Sequence, residues 1–165
     1  MAAELTDIAY VDFENDVIND VSNTFDYMAS SHLITIALDP QSPLASHHIT
    51  ISEPNGQNGL LILLINEGLN LESGAPITSN YHDLIETITA SSSTATEMRA
   101  AIESHNQSVL DDIDDMIMQP SDTLYVQVVI WGDYDELPDP TNYLDLTYTL
   151  TITIDTINSK GVDES

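Results

Sequence analysis

The sequence predicts an α+β fold: a mainly antiparallel sheet of about five strands, with an N-terminal helix and two central helices packed on it. Apolar residues recur at helical spacing over 6–29, 80–90 and 95–118. They alternate, or run on without a break, at strand spacing over 33–38, 47–52, 60–66, 123–131 and 143–157. Most strands have a strand for a sequence neighbour, which favours antiparallel pairing.

In the first helix, Tyr10, Phe13, Val17, Val21, Phe25 and Met28 form one apolar stripe, with Thr6 or Asp7 as the cap. Leu33 to Leu38 reads as a short strand, ended by Asp39-Pro40-Gln41-Ser42-Pro43 because proline has no amide for a ladder. His47, Ile49 and Ile51 alternate with His48, Thr50 and Ser52 in the second strand. After the turn-forming stretch 53–59, the unbroken run Leu60 to Ile65 reads as a central strand buried on both faces. Residues 67–79 read as loop.

Tyr81, Leu84, Ile85 and Ile88 mark the second helix. Thr94-Ala95-Thr96-Glu97 is a capping box that opens the third; Met98, Ile102, His105, Val109, Ile113, Met116 and Ile117 carry it, and Pro120 stops it. Thr123 to Trp131 reads as a largely buried strand. In the last strand Leu144, Leu146, Tyr148, Leu150, Ile152 and Ile154 face one way, and Asp145, Thr147, Thr149, Thr151, Thr153 and Asp155 the other. The chain reads as a single domain over 1–165, with an ordered core at 6–157 and a polar tail at 158–165.

Of 165 residues, 28 are Asp or Glu, against Arg99 and Lys160 as the permanent cations, and the formal net charge is -26. Two cations cannot neutralise a phosphate backbone or hold an anionic membrane, so no direct nucleic-acid or membrane partner is expected. Self-repulsion at this charge destabilises a compact state, but at about 1 M salt the Debye length is only ~3 Å. The near-absence of Lys resembles the proteins of salt-in halophilic archaea. The carboxylates then serve solvation in brine. Cysteine is absent, which removes disulfides, thiolate metal sites and cysteine nucleophiles. Met1-Ala2-Ala3-Glu4-Leu5 has neither a basic region nor an apolar run, and no stretch approaches the ~20 apolar residues of a membrane span. Cytoplasmic synthesis is expected.

No nucleophile elbow or P-loop is present, so the chain is expected not to be an enzyme. The loop at 132–142 carries Asp133, Asp135, Glu136 and Asp139, hard oxygen ligands of the kind Ca2+ or Mg2+ takes. No cofactor is expected, with Ca2+ or Mg2+ at this loop as the alternative. The loop lacks the EF-hand pattern, and a solvated acidic loop is the plainer reading in so acidic a chain. Asp111, Asp112, Asp114 and Asp115 oppose the dipole at the end of the third helix and read as a brine-solvated face, with a cation-mediated contact to a neighbouring subunit as the alternative. His105 on the apolar stripe reads as a hydrogen-bonded packing residue, and His47 and His48, adjacent on a strand, point to opposite faces. Tyr10, Phe13 and Phe25 of the first helix read as core packing, with docking on another subunit as the alternative; with Trp131, Tyr134 and Tyr143 around the acidic loop they are the candidate interface anchors.

The order of elements over 6–157, a helix, three strands, a helical segment and two strands, is similar to that of the neck and tail-terminator proteins of tailed viruses. The resemblance implies a non-enzymatic subunit of a haloarchaeal virus particle, in a ring at the head–tail junction or tail end. Its partners would be copies of itself and other virion proteins, and its location the virion, after assembly in the haloarchaeal cytoplasm. A surface decoration or host-attachment module, and a cytoplasmic accessory protein or enzyme, are the alternatives.

Overall fold

The computed structural model describes residues 2–5, 10–11, 30–52, 60–71, 78–133 and 148–158. Their order is β1 (Ala2–Leu5), β2 (Tyr10–Val11), β3 (Ser30–Ala37), β4 (Ala45–Ser52), β5 (Leu60–Leu69), α1 (Tyr81–Ile88), α2 (Ala95–Asp115), β6 (Thr123–Asp133) and β7 (Tyr148–Asn158). The class is α+β with antiparallel sheets, as expected. From β3 onward the order of three strands, two helices and two strands also agrees.

The strands form two sheets rather than one. The first has the order β1-β7-β4, antiparallel throughout. In the second, β6 is central, with β5 antiparallel along one edge. Its other edge holds β3, antiparallel at Thr123–Ile130, and then β2, parallel at Gly132 and Asp133. Alternation explains the division. Buried and exposed residues alternate along β4, whereas Val126 to Asp133 of β6 are buried without interruption. A strand apolar on both faces needs a layer on each side, and a strand apolar on one face can supply such a layer.

The core therefore has two parts. Between the sheets, Ile34, Ile36, Leu124, Val126, Val128 and Ile130 pack with Ile49 and Ile152, and with Val109 and Ile113 from the second half of α2. On the far side of β6, Leu61, Leu63, Val129 and Trp131 pack under Ile85 of α1 and Met98 and Ile102 from the first half of α2. Each buried aliphatic side chain contributes about 1.5–3 kcal/mol by leaving water. One helix thus serves both cores, because it crosses the edge of β5.

Three expectations are corrected. The helix expected over 6–29 does not hold at its start, where Tyr10–Val11 is strand in ladder contact with β6; residues 6–9 and 12–29 lie outside the described residues. β5 is not central: it lies at a sheet edge and continues through Leu69, with a bulge between Asn66 and Gly68. Gly68 takes φ +104 there, a region that side-chain-bearing residues avoid. α2 ends at Asp115, so Met116 and Ile117 leave the helix, and Met118 exchanges backbone hydrogen bonds with Ala45 of β4. The capping box forms as expected: Thr94 Oγ1 accepts from the Glu97 amide, and the Glu97 carboxylate accepts from the Thr94 amide and, more strongly, from the amide and hydroxyl of Ser93. Those bonds, the Ser93 amide first, hold the Glu97 carboxyl below its ordinary pKa.

Candidate functional site

The two edges of the larger sheet are treated differently by the fold. At β5 the helix α2 supplies a substitute strand. Asn106 Nδ2 donates to the Ile62 carbonyl at 2.7 Å, and its Oδ1 accepts from the Leu64 amide at 2.8 Å. The His105 Nε2 lies 2.9 Å from the Leu64 carbonyl oxygen, to which it donates. His105 is thus a hydrogen-bonded packing residue, and Asn106 serves the fold through its side chain.

These bonds also establish which way the backbone points. Ile62 and Leu64 turn their polar groups away from β6, so their register partners Ile130 and Val128 turn theirs toward β3. On β3 the even-numbered residues answer them, and Leu38 continues the pattern with bonds to Asp122 and Ser121. The amides and carbonyls of Ser31, Leu33, Thr35 and Ala37 therefore point outward. Among the described residues no strand pairs with that edge. The side chains of these four residues are exposed, and Leu33 is one of the exposed large hydrophobics, at 44%.

A buried polar knot fixes this edge to the body. Gln127 of β6 is 2% exposed. Its Oε1 accepts from the hydroxyls of Ser31 and Tyr81, and its Nε2 donates to the Thr78 carbonyl at 2.9 Å. The amide links β3, β6, the segment before α1, and α1 itself. A glutamine within an otherwise apolar run was the signal available in the sequence. Nearby, the Thr78 amide donates to Glu67, the residue at the bulge.

The sequence-derived candidates are dispersed. Trp131 is fully buried, edge-on to Tyr81 with ring centroids 6.0 Å apart, and presents no surface to a partner. Asp133 is buried under Arg99, whose Nε and Nη2 donate to the two carboxylate oxygens at 2.5 and 2.9 Å. That two-pronged ion pair occupies both oxygens of Asp133. Tyr10 lies in β2; Phe13, Phe25, Tyr134, Tyr143, Asp135, Glu136 and Asp139 lie outside the described residues. Among the described residues no group of three or more His, Asp or Glu is placed to hold a metal ion.

The remaining ionisable contacts are structural. His47 is buried in β4 with Nδ1 3.0 Å from the Thr156 hydroxyl, and burial lowers its pKa. His48, on the opposite face, meets Asp114 of α2 at 2.8 Å. Asp122 is held below its ordinary pKa, first by the Asn70 side chain and then by the Gln119 amide. Among the described residues no helix is long and apolar enough to cross a membrane. Comparison with models of protein families, with curated proteins and with solved structures finds no match for this chain.

Proposed function

We propose that this chain is a non-enzymatic structural subunit of a halophilic virus particle, acting by assembly with copies of itself and with other virion proteins, in a ring at the head–tail junction or tail end. The observation that carries the assembly role is the open edge of β3, an eight-residue strand whose outward backbone groups have no strand partner among the described residues. Long, uncharged edges invite pairing with another chain. The viral setting is supported by the agreement in element order from β3 to β7 and by the brine-adapted composition. Arg99, one of the two permanent cations, is turned inward onto Asp133, so contacts between copies of this chain would rely mainly on backbone pairing, hydroxyls and apolar side chains.

Native mass in molar KCl tests the proposal. A defined oligomer, or stable incorporation into particles, is the expected result. A lone monomer at every salt concentration would refute the assembly role. The surface-attachment alternative loses Trp131 as a ligand platform, since the ring is inside the core.

A further inference from the structure

We propose that β3 is a seam between two copies of this chain, its open edge pairing antiparallel with the same edge of a second copy about a two-fold axis. Ser31 then faces Ala37 of the other copy, and Leu33 faces Thr35. This inference rests on the assembly reading above and names its contact.

Backbone geometry selects the register. Ser31, Leu33, Thr35 and Ala37 carry the outward amides and carbonyls, as the bonds at Ile62, Leu64 and Leu38 establish. In this register each of the four meets another of the four, and each facing pair exchanges two hydrogen bonds. Sheet order becomes β5-β6-β3 continued by β3-β6-β5 of the second copy.

Charge selects the occupant. The chain has a formal charge of -26, so most of its surfaces repel a second copy. Residues 27–38 contain no Asp or Glu, and the facing residues on β3 are Ser, Leu, Thr and Ala. A cationic partner finds no anion on this strand, whereas a second copy finds an uncharged edge that matches its own. Leu33 would come to lie against Thr35 of the other copy and diagonally from its Leu33, covering apolar surface that is 44% exposed in the monomer.

The contrast within the sheet points the same way. Edges are usually blunted by proline, a lysine, a bulge or a covering helix. The β5 edge has both a bulge and a covering helix, while β3 has no proline, no charge and no register shift along Ser30–Ala37. A two-fold contact joins copies in pairs and does not by itself close a ring. In a larger assembly it joins subunits, or whole rings, face to face, and ring closure needs a second, heterologous contact.

Native mass and circular dichroism of Thr35→Pro in molar KCl provide the test. Proline at 35 removes an amide aimed away from β6, while the bonds to β6 come from residues 34 and 36. The expected result is a halved mass with an unchanged spectrum. As a second measurement, Leu33→Cys with Thr35→Cys places the only cysteines of the chain in facing positions. Their Cα atoms would be about 5.5 Å apart, within disulfide range. Oxidation is expected to give a covalent dimer that thiol reagents reverse. If Thr35→Pro does not fold, the cysteine pair decides alone. An oligomeric wild type that Thr35→Pro leaves intact and the cysteines do not cross-link overturns the seam but leaves the assembly role standing. A monomeric wild type overturns both.

Discussion

Asn106→Ala is expected to be among the most damaging single changes on α2, although the residue is only half-buried. Its side chain satisfies the Ile62 carbonyl at 2.7 Å and the Leu64 amide at 2.8 Å, on a strand whose other edge already belongs to β6. Alanine keeps the helix propensity but leaves both backbone groups facing a methyl. Leaving one buried polar group unpaired costs about 1–3 kcal/mol, and partial access of water brings the pair to about 3 kcal/mol. For a domain of this size that corresponds to a fall of roughly 6–12 °C in Tm. Urea unfolding in molar KCl, followed by circular dichroism, measures it. Asn106→Asp sharpens the reading. Its carboxylate still accepts from Leu64 but sets oxygen against the Ile62 carbonyl, so its loss should shrink in acid, where a protonated carboxyl donates. A cost below about 0.5 kcal/mol for Asn106→Ala, the level of an uninvolved surface site, would refute the edge-sealing role.

Three further outcomes are expected. Arg99→Ala leaves Asp133 as a buried charge without its guanidinium and should cost about 3–5 kcal/mol in the same assay; Arg99→Met combined with Asp133→Leu should recover most of it. His47 has a lowered pKa in the folded protein, so the unfolded chain binds the proton more readily and stability is lost as pH falls below about 6.5. Wild type should therefore lose stability relative to His47→Gln as pH falls from 7 to 5; Glu97 and Asp122, whose pKa values are also lowered, are common to both proteins and cancel in the comparison. A constant difference between the two proteins across that range would remove His47 as the cause. Circular dichroism in dilute and molar KCl should show the fold strengthening with salt, since the -26 charge is screened only in brine; equal stability in both would contradict the brine reading.

Much of the secondary structure was legible because periodicity is local. The alternation in β4, the capping box before α2 and the stripe Met98, Ile102, Val109 and Ile113 all appear where the pattern put them. The errors came where burial had two explanations. An apolar run such as Leu60 to Ile65 reads as a central strand, yet here a helix covers the edge that a neighbouring strand would have covered. Tyr10 fits a helical stripe, but Gly132 and Asp133 draw it into a ladder from more than a hundred residues away. Trp131 ends a run that reads as buried yet also stands beside the acidic loop as a candidate interface anchor, and only its place in β6, under α1 and α2, decides between the two.

The candidate site was barely legible for the same reason. Neither the pairing of Arg99 with Asp133 nor the knot at Gln127 leaves a spacing in the chain, because each joins residues far apart in sequence. Composition fixed the electrostatic setting: with 28 carboxylates against two permanent cations, copies of this chain have almost no cations with which to form salt bridges to one another. Pattern fixed the class of fold, since which residues avoid water is written residue by residue. Only the tertiary structure decided which strands share a sheet, which edge is sealed by a helix and which has no strand partner among the described residues, because those depend on non-local hydrogen bonds made by backbone groups that every residue possesses alike.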